Sequence, residues 1–379
     1  MSRRPADDEP SLIRPALEGL VPYEPGKPVE EVQRELGLDR VVKLASNEGP
    51  YGPFSAAQEA IARVSVEFNR YPDGGAWRLR HALAERHGVP FEEVAVCAGA
   101  DAVIGYTALA TLDPGDEAVT GWPSFPSYVL DPMKVGAVSV RVPLRDDRFD
   151  LEALLDAISE RTKLVFIAAP NNPTGTTNTR QELDAYFSSV PPHVLTVLDQ
   201  AYFEYIEEPE YPDGIEEYAK TGHRVLVLRT FSKIYGLAGL RVGYGIGPPE
   251  LVTAIGKVRR AFDVASAGQE GALASLDDTT ELERRGTANR EAMALLDDVL
   301  RSRGLEPAGP AVANFVFVRV GDAAALNDAL LQRGVIVRPM GSFGAPDALR
   351  ITVGTPDEIE FLAGALDAVL PALVSPGRS

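Results

Sequence analysis

A lysine between two polar clusters is the residue of this sequence best suited to covalent chemistry. Lys233 follows the β-branched run Arg224–Thr230, a pattern that predicts a buried strand, and it precedes a glycine-rich segment that contains Arg241. Ligands of α/β sheets bind beyond the carboxyl ends of the strands. An amine that is partly shielded from water can be neutral and attack an aldehyde, so the pattern predicts a Schiff base at Lys233. Thr230, Ser232 and Arg241 offer donors for an anionic group such as a phosphate.

The size and charge of the chain limit the kinds of partner it can have. A chain of 379 residues exceeds one compact core and predicts two domains. The 37 basic and 55 acidic residues give a formal net charge of −18, which disfavours a nucleic-acid partner because its phosphates would be repelled. A few local arginines in a cleft can still bind a small phosphate substrate.

Cysteine, histidine and apolar residues point to a cytoplasmic protein without a metal. The single cysteine, Cys97, allows no intrachain disulfide, which favours a reducing compartment, and its apolar surroundings favour a core residue over a nucleophile. The four histidines show no metal-ligand spacing. No apolar run approaches the roughly 18 residues of a membrane helix, and the first ten residues lack the apolar core of a signal peptide.

The order of the predicted elements indicates two units of different type. Short apolar runs alternate with helical patterns from residue 92 to residue 230, which predicts a mostly parallel α/β sheet. Strands and helices after Gly304 predict a compact α+β unit. We therefore expect an N-terminal arm over residues 1–50, a large domain over residues 51–264 and a small domain over residues 265–379. The glycines of Gly243–Glu250 lack the spacing of a dinucleotide fingerprint, which disfavours a nicotinamide-dependent dehydrogenase.

The segment Thr230–Gly245, TFSKIYGLAGLRVGYG, resembles the lysine motif of fold-type I pyridoxal-phosphate aminotransferases. The resemblance is strongest to the histidinol-phosphate aminotransferase branch (class II subfamily) and covers nearly the full chain. It implies a large α/β domain with a mostly parallel, seven-stranded sheet, a small α+β domain closing over a cleft, and an N-terminal arm that packs with the small domain. It also implies pyridoxal 5′-phosphate (PLP) as cofactor, with Lys233 as the lysine that binds it and later serves as general base.

The resemblance assigns further residues to the cofactor. Asp199 and Tyr202, in DQAY, match the residues that contact the ring nitrogen and the phenolic oxygen, and Asn172 of an Asn-Pro-Thr-Gly motif also contacts that oxygen. Phe125 matches an aromatic residue that stacks on the ring. The residues expected at the phosphate are Ala100, Asp101, Thr230, Ser232 and Arg241, joined by Tyr71 from a neighbouring subunit. The resemblance therefore implies a homodimer with shared active sites.

Four residues are implied for the substrate. Tyr23 and Asn47 match residues of the N-terminal arm, and Arg350 matches an arginine that forks onto a carboxylate or phosphate. Arg338 matches the arginine that the histidinol-phosphate branch uses for the substrate phosphate, although a surface ion pair also explains an arginine there.

Three positions depart from the family pattern. Gly49 replaces an asparagine, Ala102 replaces a frequent glutamate, and Gln200 replaces the glutamate of the usual Asp-Glu-Ala-Tyr. Any role of that asparagine is absent from this chain, and Gln200 removes a charge.

The resemblance implies amino transfer between histidinol phosphate and 2-oxoglutarate in histidine biosynthesis, with small molecules as the other partners. An aromatic-amino-acid aminotransferase of the same fold shares nearly every motif, and steady-state rates with phenylalanine would distinguish it. A PLP-dependent decarboxylase of a phosphorylated amino acid would be recognised by release of carbon dioxide. A PLP-binding regulator is disfavoured, because no DNA-binding module is recognisable and the charge is acidic.

Overall fold

The computed structural model describes residues 11–21 and 26–373. Its helices are α1 (Val29–Leu36), α2 (Ser55–Val64), α3 (Trp77–His87), α4 (Ala100–Thr111), α5 (Ser127–Val135), α6 (Leu151–Asp156), α7 (Arg180–Ser189), α8 (Pro249–Val258), α9 (Ser266–Leu276), α10 (Thr279–Arg301), α11 (Ala323–Leu331) and α12 (Pro356–Leu373). Its strands are β1 (Val42–Lys43), β2 (Val94–Cys97), β3 (Glu117–Trp122), β4 (Val138–Pro143), β5 (Thr162–Ala168), β6 (Leu195–Asp199), β7 (Val225–Thr230), β8 (Gly243–Ile246), β9 (Phe315–Arg319), β10 (Val335–Ile336), β11 (Arg338–Pro339) and β12 (Ala348–Thr352).

A seven-stranded sheet forms the centre of the larger unit. Its strand order is β2-β8-β7-β6-β5-β3-β4, and β8 alone runs antiparallel to its two neighbours. The strands β6 and β7 are buried along their whole length, as expected for Val- and Leu-rich strands covered on both faces. The α/β architecture with a mostly parallel sheet agrees with the prediction.

The parallel strands bring three polar chain ends to one edge of this sheet. In the register of the sheet, Ala168 pairs with Asp199, and Asp199 in turn pairs with Leu228 of β7, two residues before Thr230. The chain therefore leaves β5, β6 and β7 at neighbouring points. Lys233 follows three residues after the end of β7.

A second unit is built around the antiparallel sheet β11-β12-β9. Helices α10, α11 and α12 pack against it, and one hydrophobic cluster joins Leu300, Leu330 and Leu362. Val42 and Leu44 of the N-terminal arm lie in the same cluster, and β1 pairs with β10. Helix α9 packs in the larger cluster although it follows the predicted domain boundary at residue 264, and that boundary stays a prediction.

Two places in the chain show how side-chain contacts and strand pairing set the end of an element. Helix α8 ends at Val258, because Arg259 is extended and its guanidinium donates to the carbonyls of Val96 and Gly74. The extended segment from Val335 to Pro339 divides between two sheets, since β10 pairs with β1 and β11 pairs with β12. This change of sheet places Arg338 directly opposite Arg350.

Three observations concern the other sequence-based expectations. Burial raises the pKa of the Cys97 thiol to about 12, which suits a core residue. Within residues 11–21 and 26–373, no helix is both long and apolar enough to cross a membrane. The same part of the chain contains no group of three or more His, Cys, Asp or Glu residues placed to bind a metal ion.

Candidate active site

A cavity of about 220 Å³ opens at the carboxyl ends of β5, β6 and β7. It brings together residues that are far apart in the sequence, as expected for a ligand site of an α/β sheet. The residues predicted for cofactor or substrate that line it are Asn47, Ala100, Asp101, Phe125, Asn172, Asp199, Tyr202, Thr230, Ser232, Lys233, Arg241 and Arg350.

Lys233 lies in a tight turn and is half-buried. The Gly236 amide donates to the Lys233 carbonyl at 2.9 Å, and Gly236 adopts a φ of 70°, a backbone conformation that favours glycine. The Lys233 Nζ atom lies 5.3 Å from the centroid of the Tyr202 ring. The turn therefore presents the amine to the cavity beside an aromatic face.

Asp199 is the last residue of β6, and its buried carboxylate accepts two hydrogen bonds. Tyr128 Oη donates to Asp199 Oδ2 at 2.6 Å, and the Ala201 amide donates to Oδ1 at 2.9 Å. Burial raises the pKa of Asp199, while these hydrogen bonds and the charge of Lys233 act in the opposite direction. The carboxylate is suited to pair with a cationic ring nitrogen.

Donors for an anion gather at the start of α4. Gly99 precedes the helix with a φ of 93°, and a Cβ atom on Gly99 would lie 2.8 Å from Arg241 Nη2. Arg241 Nη1 also donates to Ser232 Oγ at 3.4 Å. Helix N-termini carry unpaired amides and a positive dipole end, so this corner is suited to a phosphate. Thr230 adds a hydroxyl to the same part of the wall.

An aromatic side chain forms one wall of the cavity. Phe125 is half-buried, and its ring centroid lies 5.6 Å from that of Tyr128, at 73°. A flat apolar face of this kind is suited to stack on a planar ring.

The N-terminal arm and the second unit close the cavity. Asn47 Nδ2 donates to Tyr202 Oη at 2.9 Å. The buried Arg350 donates through Nη1 to Asn172 Oδ1 and through Nη2 to the Ala45 carbonyl, both at 2.6 Å. Arg350 therefore contacts the N-terminal arm and the loop between β5 and α7 while it lines the cavity.

Three predicted residues are not among those that line it. Tyr23 lies outside the described residues. Tyr71 is 81% exposed and stacks on Phe262, with 4.6 Å between ring centroids. Arg338 lies opposite Arg350 on the neighbouring strand, and opposite residues of an antiparallel pair share one face of the sheet.

Several lining residues were not predicted from the sequence. Tyr128 lies in the first turn of α5, and its amide donates to the carbonyl of Phe125, which precedes the helix, at 3.1 Å. Phe343 comes from a short turn of the second unit and carried no local signal. The remaining ones are Ser46, Ile104, Ala168, Pro170 and Ala201.

These residues fit a planar cofactor that carries a phosphate. A Cβ atom on Gly99 would crowd the Arg241 guanidinium, and one on Gly243 would lie 2.2 Å from the Ala100 amide, so both glycines are needed to shape the anion corner. The Asp199 carboxylate, the Phe125 ring and the Lys233 amine also line the cavity. The cationic and amide donors suit the phosphate, the aromatic wall suits the flat ring, and the buried carboxylate suits a ring nitrogen.

The sheet order, together with a lysine after β7 and a carboxylate at the end of β6, defines the fold-type I class of α/β transferases. The chain belongs to the class I and II aminotransferase family, whose model matches residues 39–366. The sequence-based prediction of this family is confirmed.

Similar proteins cover nearly the whole chain. It is 45% identical to the histidinol-phosphate aminotransferase of Akkermansia muciniphila over 342 residues, which are 89% of this chain and 93% of the relative. It is 42% identical to histidinol-phosphate aminotransferase 2 of Carboxydothermus hydrogenoformans, with 96% and 100% covered.

Solved structures share the fold. A histidinol-phosphate aminotransferase from Sinorhizobium meliloti, in complex with pyridoxal 5′-phosphate, superposes with a TM-score of 0.87 at 29% identity, covering 97% of this chain and 100% of that one. A double mutant of Thermus thermophilus aspartate aminotransferase gives 0.81 at 26% identity, with 94% and 98% covered. The predicted fold class is confirmed.

Proposed function

We propose that this aminotransferase uses PLP to move the amino group of histidinol phosphate to 2-oxoglutarate, giving imidazole acetol phosphate and glutamate. The observation that carries the proposal is the single cavity that unites Lys233, Asp199, Arg241 and Arg350. The names of relatives that are 45% and 42% identical support the choice of substrate and a place in histidine biosynthesis.

Each part of the cofactor has a candidate partner in the cavity. When bound, PLP supplies an aldehyde that takes up amino groups and a ring that accepts electrons from the substrate. Asp199 would hold a proton at the ring nitrogen, and Phe125 would cover one ring face. The Ala100 and Asp101 amides, with Ser232 and Arg241, would bind the phosphate; the Asp101 carboxylate instead accepts a hydrogen bond from Ser127, as an acid in the first turn of α4 can.

Lys233 is the group proposed to move the substrate proton. Its Nζ atom, when neutral, would take a proton from the substrate carbon that bears the amine and return it to the former aldehyde carbon of the cofactor, on the other side of the shared nitrogen, which is a 1,3-proton shift. Tyr202 and Asn172 would orient the cofactor's phenolic oxygen, and both are themselves held, by Asn47 and by Arg350.

Arginine chemistry supports a substrate with an anionic group. Arg350 lines the cavity and Arg338 lies opposite it in the sheet, so both guanidinium groups extend from one face. Arginine binds carboxylate and phosphate through two parallel hydrogen bonds. We assign Arg350 and Arg338, with Tyr23 and Asn47 of the arm, to the substrate.

A substrate panel tests the proposed reaction. Purified protein loaded with PLP is expected to prefer histidinol phosphate to phenylalanine in kcat/KM, with 2-oxoglutarate as acceptor. A preference for phenylalanine would indicate an aromatic aminotransferase, and release of carbon dioxide would indicate a decarboxylase.

A labelling experiment tests the lysine separately. Borohydride reduction followed by peptide mapping is expected to place the pyridoxyl label on Lys233. Lys233→Ala is expected to abolish turnover and the cofactor's visible absorbance. A label on another lysine would contradict the assignment.

We also propose a cytoplasmic homodimer with shared active sites. Tyr71 and Phe262 stack on one another while they are 81% and 45% exposed, and Phe68 and Trp77 are exposed nearby in the sequence. Exposed aromatic groups of this size favour a protein interface. The single buried cysteine suits a reducing compartment.

Mixed dimers test the sharing of sites. If Tyr71 serves the partner's site, dimers of Lys233→Ala with Tyr71→Ala chains contain one site with both changes and one intact site. Coexpression is then expected to restore activity well above that of either variant alone. No gain in activity, or a monomer in sedimentation analysis, would contradict the proposal.

A further inference from the structure

Arg285 is a buried cation near the start of α10. Its side chain is 6% exposed, and its Nε donates to Glu281 at 2.8 Å. Nη1 donates to the carbonyls of Ile234 and Tyr51 at 3.0 and 3.5 Å, and Nη2 donates to the Gly52 carbonyl at 2.6 Å. A buried charge is costly unless it is paired and hydrogen-bonded, and each nitrogen of this guanidinium has an acceptor.

The acceptors of Arg285 belong to the turn that carries Lys233 and to the segment beneath it. Ile234 is the residue after Lys233. A Cβ atom on Gly236, in the same turn, would lie 2.5 Å from the Gly52 carbonyl oxygen, so the turn packs directly on the segment of Gly52. The Arg285 guanidinium therefore binds both the turn that carries Lys233 and the segment of Gly52 on which that turn packs.

Helix α10 connects this contact with the second unit. Its later residues Leu296 and Leu300 belong to the hydrophobic cluster that also contains Leu362 of α12. Phe54 lies under the guanidinium, with 4.4 Å between Arg285 Cζ and the ring centroid. Arg285 thus joins three segments: the lysine turn, the residues Tyr51 and Gly52 that follow the N-terminal arm, and the helix that continues into the second unit.

We propose that Arg285 is a positioning residue for Lys233, which holds the main chain next to the reacting amine through the Ile234 and Gly52 carbonyls. This inference rests on the proposed function, in which Lys233 bears the cofactor and moves the proton. Misplacement of a reacting group by about 1 Å can lower a rate roughly 100-fold, so a residue of this kind acts on kcat.

Two variants and one control separate the contacts. Arg285→Met keeps much of the side-chain volume and removes every donor. Arg285→Lys keeps the charge near Glu281, but one ammonium group cannot reproduce the fork of the guanidinium. Arg284→Met is the matched control, because Arg284 bonds the same Glu281 through two nitrogens while its side chain is 51% exposed.

Hydrogen–deuterium exchange of the protein without cofactor reports on the turn itself. Three of its amides make main-chain hydrogen bonds: Gly236 donates to Lys233, Leu237 to Phe231, and Phe231 to Val242, the residue before β8. In Arg285→Met, exchange of the peptide over residues 231–237 is expected to be faster by about 10-fold or more, because a charged donor to a carbonyl is lost. In Arg284→Met it is expected to stay within about twofold of the parent, since an exposed ion pair contributes little.

Steady-state kinetics of the loaded enzyme give the second measurement. Arg285→Met is expected to lower kcat at least about 10-fold while KM changes less than about threefold, as for a residue that acts through placement of the reacting amine. Arg285→Lys is expected to fall between the parent and Arg285→Met in both measurements.

Unchanged exchange over residues 231–237 in Arg285→Met would overturn the inference. If that variant does not fold, the same result in Arg285→Lys decides. Since the exchange is measured without cofactor, it stands even if the pyridoxyl label maps to another lysine, so failure of the proposed function is distinguished from failure of this inference.

Discussion

At the scale of single residues, the Asp199 carboxylate shows how a buried charge is kept available. Burial raises its pKa, and two hydrogen bonds, from Tyr128 and from the Ala201 amide, oppose that effect. Tyr128 is itself buried and stacks on Phe166, with 5.0 Å between ring centroids and 10° between planes. The donor is therefore fixed by packing before any cofactor binds.

The first prediction concerns Tyr128→Phe. Loss of the donor is expected to raise the pKa of Asp199 further, so the acid limb of the kcat/KM profile moves to higher pH. A hydrogen bond to a charged group contributes about 1.5–3 kcal/mol, so kcat/KM is expected to fall roughly 10- to 100-fold. Profiles of both proteins measure this, and an unshifted acid limb would contradict it.

Gln200 shows what one family departure does. Its Nε2 donates to the Pro212 carbonyl at 2.9 Å, and its Oε1 accepts from the Gly214 amide and from Arg229. The charge of Arg229 is matched by Asp213 at 2.7 Å. The Gln200 side-chain amide therefore donates a hydrogen bond to Pro212. A glutamate carboxylate could not donate this bond, because it carries no proton.

The second prediction concerns His87, whose Nε2 lies 3.0 Å from Tyr244 Oη. Burial, followed by the charge of Arg229, lowers the pKa of His87 to about 4. An unfolded histidine titrates near pH 6.5, so between pH 6.5 and about 4 the unfolded chain binds a proton that the folded chain does not. As the pH is lowered from 6.5 to about 4, the free energy of unfolding is therefore expected to decrease. His87 contributes on the order of 3 kcal/mol to this decrease.

Urea unfolding at several pH values measures this contribution. His87→Gln is expected to flatten the pH dependence between 6.5 and 4, while His193→Gln, at an exposed position, is expected to leave it unchanged. Equal pH dependence of His87→Gln and the parent would show that His87 is not the group responsible.

At the scale of elements, the junction of β8 with α4 forms the anion corner. Gly243 pairs with Cys97 of β2 and with Thr230 of β7, so it lies between the strand that leads into α4 and the strand that leads to Lys233. Its Cα lies against the first turn of the helix, which leaves no space for a side chain. Where two backbone segments approach each other this closely, only glycine fits.

The third prediction concerns Gly243→Ala. The new methyl group must displace the Ala100 amide, so apoprotein is expected to bind PLP about 10-fold more weakly and to lose about 1–3 kcal/mol of stability. Titration of the cofactor absorbance and thermal unfolding measure these effects.

Gly256→Ala is the control for that variant. Gly256 lies in α8 with no atom within 4 Å of a built Cβ, so alanine is expected to leave PLP binding unchanged and to stabilise the helix by about 0.5–1 kcal/mol. Equal PLP binding by the two variants would contradict the proposed role of the junction.

At the scale of the whole molecule, the two units meet around the cavity through specific bonds. Arg350 on β12 donates to Asn172 of the loop between β5 and α7, and the Val312 amide donates to the Gly175 carbonyl of the same loop. Arg319 on β9 bridges to Asp147 at 2.6 Å near the surface. Arg350 therefore joins the two units at the wall of the cavity.

The fourth prediction concerns Arg350→Lys. Lysine cannot make the two-pronged contact to Asn172 and the Ala45 carbonyl, so KM for the anionic substrate is expected to rise about 10-fold or more. Arg319→Lys is the control, because its side chain is 51% exposed and its ion pairs are expected to contribute less than about 1 kcal/mol. An unchanged KM in Arg350→Lys would exclude Arg350 from substrate binding.

The sequence by itself determined the class of the protein and most of the cavity. Lys233, Asp199 and Asn172 each follow a short buried run, and such runs become parallel strands whose ends share one edge of a sheet. The roles of Asp199 and Asn172 were implied by the resemblance of their motifs to the family, and these motifs are visible in the sequence because the residues that carry chemistry lie directly after the strands that position them.

The tertiary structure alone decided which distant groups support these residues. Tyr128 reaches Asp199 across 71 positions, and Arg285 reaches Ile234 across 51. Phe343 enters the cavity from the second unit, and the change of sheet between β10 and β11 places Arg338 opposite Arg350. These contacts depend on how separate elements pack, and no window of sequence contains both partners, so the pattern of residues along the chain could not reveal them.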